Sequence, residues 1–360
     1  MITIAKPQIG QEEKDAVMEV MESGMIACGS VVAEFEQKFT NYIGMRYGIA
    51  TTSGTTALEV ALRALGIGVG DKVVTTAYSF IASTNSIVYT GATPVFADVD
   101  EKTFNIDLNS AEECLKQNPD AKALLVVHLF GQACNMDAVM ALAKKYGIKV
   151  IEDCAQAHGA IWNGKKVGSF GDASTFSFYP TKNMTTGEGG MVLTNDEEVA
   201  ERAKLLINHG MKIRYTHDIV GYNYRMTNIA AAIGLEQLKK LDSFNETRRE
   251  HALCYNEKIA NSNVVAPYVD ENAKHVYHQY TVRVLGGKRD DLIRLFEENQ
   301  IGYGIFYPFS IPEQPCYNQY KFETNYAVTD KIKKEVLSIP VHPGLSIGEI
   351  ETVAGVINQL

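Results

Sequence analysis

Short apolar runs alternate with amphipathic segments between residues 46 and 195. Apolar residues at helical spacing predict helices in "SGTTALEVALRALGIG", after the first run, and in "DAVMALAKKYG", after the fourth. A rhythm of strand, helix and strand is typical of an α/β domain with a largely parallel sheet. The seven runs that predict its strands are residues 47–51, 72–77, 93–99, 123–130, 149–154, 174–178 and 190–195.

The pattern changes from about residue 228. A long helical stretch, "NIAAAIGLEQLKKLDSFNETRREHALCYNEKIA", leads out of the predicted sheet region. The rest of the chain, from "HQYTVRV" to the predicted helix "SIGEIETVAGVINQL", indicates a smaller α+β unit. We therefore expect a large α/β domain over residues 1–240 and a small C-terminal domain over residues 241–360.

Composition narrows the possible functions. The chain has 360 residues, of which 46% are hydrophobic and 21% charged, as in ordinary globular proteins. Its apolar runs are too short to span a membrane, and its N-terminus has no signal-peptide pattern, so we expect a cytoplasmic protein. The net charge of -9 argues against a nucleic-acid partner, and six scattered cysteines and eight unpatterned histidines argue against a metal site.

Three predicted strand ends carry candidate chemistry, because ligands of open α/β sheets bind where the strands end. The first is "TTSGTTAL", in which Ser53 can cap a helix and Gly54 lets a ligand approach the backbone closely. The free N–H groups and the dipole of such a helix start favour a phosphate. A capped helix with nothing bound is the alternative for this motif taken alone.

The second strand end is "VIEDCAQAHGA". Asp153 follows a hydrophobic strand, and Gln156 and His158 come just after it. A carboxylate in this position can serve a cationic ring nitrogen or a metal ion, although a turn or capping residue is an equally good interpretation. We expect His158, like His128, to be a structural histidine with satisfied hydrogen bonds.

The third strand end holds Lys182, in "FSFYPTKNMTTGEGGMV". Aromatic neighbours that exclude water would lower the pKa of this lysine and make its amine a nucleophile. A phosphate-binding helix start, an aspartate at a strand end and a loop lysine are together what pyridoxal phosphate (PLP) requires. The sequence therefore predicts a PLP site.

These motifs resemble the sugar-nucleotide aminotransferases of the DegT/DnrJ/StrS group. The resemblance covers nearly the whole chain and implies the type I fold of PLP-dependent transferases, with a mostly parallel seven-stranded sheet and a smaller α+β domain. Its motifs stand in the family's order: "SGMIACGSVVAEFEQKF", "SGTTAL", "GDKVVTTAYSFIAS", "GATPVFADVD", "EDCAQAHGA", "FSFYPTKNMTTGEGGMV", "GYNYRMTNIAAAIG" and "IPVHPGLS".

The resemblance implies roles around the cofactor ring. Lys182 would bond to the PLP aldehyde and later move protons, and Asp153 would keep the pyridine nitrogen protonated. Gln156 would contact the ring hydroxyl, and Phe80 would stack on the ring.

It also implies how the phosphate is held. Gly54, Thr55 and Ser177 would bind it within one chain. Asn223 would reach the phosphate of a partner subunit, so that a homodimer with shared active sites would be the smallest active unit.

The activity implied is transfer of the amino group of L-glutamate to a nucleotide-linked keto sugar. The turn "TTGEGG" resembles relatives that aminate C4, and amination at C3 is the alternative. Two further functions stay open, a PLP-dependent sugar dehydratase and a non-catalytic regulatory protein. Lys182 argues against the first, and the intact set of site residues argues against the second. One departure, Pro312 where many relatives have histidine, leaves the sugar and donor contacts open.

Overall fold

The computed structural model describes residues 1–360 and contains eleven α-helices and fifteen β-strands. The helices are α1 (Gln11–Ser23), α2 (Ser30–Ile43), α3 (Gly54–Ala64), α4 (Ala82–Thr90), α5 (Leu108–Gln117), α6 (Met136–Tyr146), α7 (Glu197–Ile207), α8 (Asn228–Lys258), α9 (Arg289–Glu298), α10 (Ala327–Ile332) and α11 (Ile347–Ile357). The strands are β1 (Tyr47–Thr51), β2 (Lys72–Thr76), β3 (Thr93–Ala97), β4 (Ala123–Val127), β5 (Lys149–Asp153), β6 (Ile161–Trp162), β7 (Lys165–Lys166), β8 (Ala173–Ser177), β9 (Gly190–Thr194), β10 (Met211–Ile213), β11 (Thr216–His217), β12 (Val264–Val265), β13 (Ala273–Lys274), β14 (Tyr280–Val284) and β15 (Val336–Ile339).

The seven predicted strands form one sheet in the order β1-β9-β8-β5-β4-β2-β3. Only β9 runs against the others, so the predicted largely parallel sheet is confirmed. Two predicted strands extend too far, because the chain leaves the sheet after Ala97 in β3 and after Val127 in β4. Residues Leu129–Gly131 remain buried but form a 3-10 turn, which an apolar run alone does not distinguish from a strand.

Aromatic side chains join the sheet to α2. The rings of Phe39 on α2 and Phe176 on β8 meet edge to face, with their centroids 4.9 Å apart. Phe178 packs against Phe39 at 5.2 Å and against Phe35 at 5.2 Å. All four rings are fully buried. This cluster fixes the end of β8, where the lysine loop begins.

Two adjacent carboxylates of β5 point to opposite faces of the sheet, as the two-residue period of a strand requires. Glu152 faces away from the ligand-binding edge and accepts hydrogen bonds from the N–H groups of Gly168, Phe170 and Gly171, each at 2.8 Å. His128 Nε2 lies 3.1 Å from the same carboxylate. Because both Glu152 oxygens are occupied in this way, Glu152 anchors the 168–171 turn to the sheet.

A second buried cluster surrounds the sheet β12-β14-β15, together with α9 and α11. The N-terminus joins this part of the chain, since Ile2 pairs with Ile301. The helix α8 runs without a break past residue 240 and contacts α1, α2 and α11. The predicted division between residues 240 and 241 falls inside this helix and stays a prediction.

None of the eleven helices is both long enough and apolar enough to cross a lipid bilayer.

Glu36 on α2 is a partly buried carboxyl group near the first strand. Its Oε1 accepts a hydrogen bond from the N–H of Ala50 at 2.7 Å. Burial nevertheless raises the pKa of Glu36 to about 7. The folded chain therefore holds this proton more tightly than the unfolded chain does.

We predict that the free energy of unfolding falls as the pH rises from 4.5, the ordinary pKa of the group, through about 7. The Glu36→Gln variant keeps an acceptor for Ala50 and should lose this slope, so that the two stability profiles separate by about 3 kcal/mol between pH 4 and pH 8. Urea unfolding of both proteins at several pH values measures the free energy of unfolding. Glu34→Gln, which changes an exposed residue of the same helix paired with Lys38, is the control. Parallel pH profiles of native protein and Glu36→Gln would contradict the assignment.

Candidate active site

The carboxyl ends of β5 and β8 open into a cavity of about 400 Å³. This volume is within the range of small-ligand sites. Of the eight residues that the sequence assigned to the site, the structure brings seven together in its wall: Gly54, Thr55, Phe80, Asp153, Gln156, Ser177 and Lys182.

Lys182 lies in the loop between β8 and β9, and its N–H donates to Tyr179 O at 2.9 Å. Burial lowers the pKa of Lys182 to about 8, while the carboxylate of Asp153 acts in the opposite direction. A lysine with this pKa has about a tenth of its amine in the neutral, nucleophilic form at pH 7, far more than an exposed lysine has.

Side-chain amides of α8 hold the lysine loop. Asn183 Nδ2 donates to Asn245 Oδ1 at 2.7 Å and to Val276 O at 3.0 Å. Thr185 N–H donates to Gln237 Oε1 at 3.3 Å. These buried bonds fix the residues that follow Lys182, because leaving any of the groups unpaired would cost free energy.

Asp153 is 4% exposed and ends β5 at the cavity wall. Burial raises its pKa, although Ser83 Oγ donates to Oδ2 at 2.8 Å and Ala155 N–H donates to Oδ1 at 3.1 Å. A carboxylate in a buried position is most stable beside a cation. Asp153 is therefore suited to a protonated ring nitrogen.

The start of α3 forms a second wall of the cavity. Ser53 caps this helix as predicted, since its Oγ accepts from Thr56 N at 3.2 Å. Gly54 and Thr55, the first two helical residues, have no acceptor within the helix for their N–H groups. A Cβ on Gly54 would lie 2.6 Å from Ser177 Cβ, so only glycine lets α3 approach the end of β8 so closely.

Phe80 lies at the mouth of the cavity and is 54% exposed, so it is not a core residue. Its ring lies 6.2 Å from that of Tyr307. This position leaves one face of the ring free to cover a ligand.

Two residues at the site, Tyr307 and Ser83, are not predicted by the sequence. Tyr307 lines the cavity, and its hydroxyl accepts a hydrogen bond from Gln156 Nε2 at 3.1 Å. Gln156 Oε1 accepts from Phe130 N–H at 2.8 Å, so its amide is already oriented by the chain. Ser83 belongs to the motif "AYSFIAS" and Tyr307 to "YPFSIPEQP", but nothing in those motifs separates them from their neighbours.

Of the two histidines expected to have satisfied hydrogen bonds, His128 has them and His158 does not. His128 is satisfied, with Nε2 near Glu152 and Nδ1 accepting from Cys134 N–H at 3.0 Å. Neither ring nitrogen of His158 has a hydrogen-bond partner, and burial lowers its pKa to about 3. Aromatic rings surround it, with Phe176 at 5.4 Å and Phe178 at 5.7 Å. The apolar surroundings supply contacts but no partner for either nitrogen.

Two residues named from the sequence lie outside the cavity wall. Asn223 is exposed, in the segment that pairs with Asn208. Pro312 is buried next to Ile311 and does not reach the cavity.

The residues fit PLP. The helix start with Gly54 and Thr55 suits a phosphate, the buried Asp153 suits a ring cation, and Lys182 suits an aldehyde. These three features line one cavity.

Comparisons with known proteins agree with this geometry. The sequence pattern of the DegT/DnrJ/EryC1/StrS aminotransferase family matches residues 7–358. The chain is 40% identical to GDP-perosamine synthase of Caulobacter vibrioides, over 100% of this chain and 98% of that protein. It is 42% identical to dTDP-3-amino-3,6-dideoxy-alpha-D-galactopyranose transaminase of Aneurinibacillus thermoaerophilus, over 97% and 95% of the two chains.

Among solved structures, DesV of S. venezuelae superimposes with a TM-score of 0.93 at 33% identity, over 97% of this chain and 94% of that chain. Proteins of this family are PLP enzymes, and PLP is the cofactor of this chain. The type I fold expected from the sequence is confirmed.

We predict that Lys182 in the cofactor-free protein reacts with trace acetic anhydride with a pH midpoint near 8. Asp153→Asn removes the carboxylate that favours the charged amine and should lower this midpoint. Peptide mass spectrometry measures the labelling, and Lys38, exposed on α2, provides the internal reference. An unchanged midpoint in Asp153→Asn would show that the two groups do not interact.

Proposed function

Because the chain belongs to the DegT/DnrJ/EryC1/StrS aminotransferase family, we propose that it transfers the amino group of L-glutamate to a nucleotide-linked 4-keto sugar. The observation that carries this proposal is the single cavity that holds Lys182, Asp153 and the start of α3. The cavity mouth, with the exposed ring of Phe80, leaves room for a substrate larger than an amino acid.

PLP, when bound, supplies an aldehyde carbon that accepts the amino group and a ring that withdraws electrons from the reacting carbon. Asp153, a buried carboxyl group at the end of β5, would pair with the ring nitrogen and keep a proton on it. The N–H groups of Gly54 and Thr55 bind the phosphate. Lys182, with its lowered pKa, takes the proton from the donor Cα and returns one to the sugar carbon.

The substrate class follows from the relatives. Two of them carry names with GDP- or dTDP-linked sugars, which supports a nucleotide-linked sugar here. The turn "TTGEGG" at residues 185–190 favours C4, by its resemblance to relatives that aminate that carbon. A second candidate, amination at C3, is favoured by the printed name of the Aneurinibacillus thermoaerophilus transaminase.

The active unit in this proposal is a homodimer. Asn223 is exposed and does not line the cavity of its own chain, so its amide is free to reach a second chain. The stacked rings of Tyr222 and Tyr224, with centroids 4.7 Å apart, hold the backbone on both sides of it. This placement supports a contact with the partner's cofactor phosphate.

We predict that the purified enzyme with glutamate turns over nucleotide-linked 4-keto sugars and not 3-keto sugars. Lys182→Ala should abolish the visible absorption of bound cofactor and slow both half-reactions by about 10²- to 10⁴-fold, because it removes the group that moves the proton. Lys165→Ala, at an exposed lysine outside the cavity, is the control. Turnover of 3-keto sugars alone would favour the second candidate, and turnover of neither would overturn the proposal.

A separate prediction tests the shared site. Lys182→Ala chains mixed with Asn223→Ala chains form heterodimers in which one site carries both changes and the other carries neither, if Asn223 acts across the interface. Activity should then recover above that of either variant alone. Loss of Asn223 by itself should weaken cofactor binding by about ten- to a hundred-fold, the value of a hydrogen bond to a charged group. Proven subunit exchange without recovery would leave Asn223 with a role inside its own chain.

A further inference from the structure

A second, much smaller cavity of about 20 Å³ adjoins the cofactor cavity at Ala5, Thr181 and Lys182, which line both. We call it the rear pocket. Its wall combines the N-terminal segment, the lysine loop and one side of α8, and consists of Ala5, Lys6, Pro7, Gln8, Pro180, Thr181, Lys182, Asn183, Thr185, Gln237, Phe244, Arg248 and Pro343.

The residues that line the rear pocket include three basic side chains and no acidic side chain. Lys6, Lys182 and Arg248 line it, and none of its thirteen residues is aspartate or glutamate. Lys6 is exposed and reaches the pocket from the surface, whereas Arg248 is 6% exposed. The pocket is therefore positively charged and has water-sized room for a ligand.

Arg248 is a buried guanidinium without a carboxylate partner. Its Nη1 donates to the carbonyl oxygens of Tyr277 at 3.0 Å and His278 at 3.3 Å, and its Nε has no acceptor. Fully buried arginines are rare unless they are paired, since an uncompensated buried charge is strongly destabilising. Arg248 thus brings a buried positive charge without an acidic partner to the wall of the rear pocket.

Two buried acids that contact neighbours of the pocket residues have their own hydrogen-bond partners. Glu13 accepts from Lys240 Nζ at 2.8 and 2.9 Å and from Gln237 Nε2 at 2.8 Å. Asp153, on the cofactor side of Lys182, accepts from Ser83 and Ala155. Arg248 itself forms no ion pair, and its acceptors are two backbone carbonyl oxygens.

We propose that the rear pocket binds a small monovalent anion, a halide or a carboxylate group, against Arg248 and beside Lys182. The volume admits one or two heavy atoms, which fits chloride or the oxygens of a carboxylate and excludes a phosphate or a nucleotide. The anion comes either from solution or from the amino donor. Only the second source rests on the proposed function.

An anion in this place has a measurable effect on the cofactor site. A negative charge next to Lys182 favours the protonated form of the group that this lysine makes with bound PLP. The pH midpoint of the visible absorption band therefore reports occupancy of the rear pocket, independently of turnover.

The first experiment titrates the visible band of the native holoenzyme with pH at increasing acetate or chloride. Ionic strength is kept constant with the salt of a bulky sulfonate that is too large for the pocket. The midpoint should rise saturably, by about one pH unit, as expected for an opposite charge within a few ångströms. A midpoint that does not respond to either small anion overturns the proposal.

Variants connect the effect to the rear pocket. Arg248→Lys, which keeps a charge but loses the guanidinium, should raise the half-saturating acetate concentration by about tenfold or more. Lys6→Gln changes an exposed residue of the pocket wall and should raise the half-saturating acetate concentration by a smaller factor. Arg249→Gln changes the next residue of α8, which pairs with Glu246 and does not line the pocket, and should leave it unchanged.

Competition then identifies the source of the anion. If acetate competes with glutamate in the donor half-reaction, and Arg248→Lys raises the KM for glutamate but not for the keto sugar, the site receives the donor carboxylate. If the band shifts without competition, the pocket binds a free anion. Equal acetate responses in native enzyme, Arg248→Lys and Lys6→Gln overturn the site. A normal band shift without turnover of any keto sugar contradicts the proposed function and leaves the rear pocket intact.

Discussion

The parallel alignment of β5 between β4 and β8 is the constraint on which the site depends. Asp153 stands opposite Val127 on one side and Thr175 on the other, so that three strands end at the same edge. The chain can then place a carboxylate, the hydroxyl of Ser177 and the loop of Lys182 in one cavity without long side chains. The start of α3 meets the same edge because Gly54 allows it to contact β8.

Buried side-chain amides of α8 connect the lysine loop to the rest of the molecule by hydrogen bonds. The side-chain oxygen of Asn245 accepts a hydrogen bond from Asn183 in the lysine loop, and its side-chain nitrogen donates to His158 O at 2.8 Å. Gln237 binds both Thr185 and the N-terminal segment, through Gln8 O at 2.7 Å. Since both residues lie on α8, which also packs on α11, a displacement of this helix would move Lys182 relative to Asp153.

The seven strands of the large sheet could be predicted because central parallel strands are buried on both faces and appear as continuous apolar runs. Most of the seven site residues that line the cavity follow those strands or open a helix beside them, whereas Phe80 was expected only from the family resemblance. Tyr307 could not be predicted, because its contact with Gln156 spans 151 positions and depends on how the C-terminal part folds back. Arg248 and Arg249 are equivalent in the sequence, and only packing of α8 decides which one is buried.

Glu152 and Asp153 also disfavour a one-residue shift in the register of β5. A shift of β5 by one position would turn Glu152 into the cofactor cavity and Asp153 toward the 168–171 turn. The two acids differ by one methylene, so the shorter Asp153 would not span to the three N–H groups that Glu152 now binds. Those donors would be left buried without acceptors, which makes the slipped sheet unstable. The hydrogen bonds of Glu152 on one face of the sheet therefore favour the register that places Asp153 in the active site on the other face.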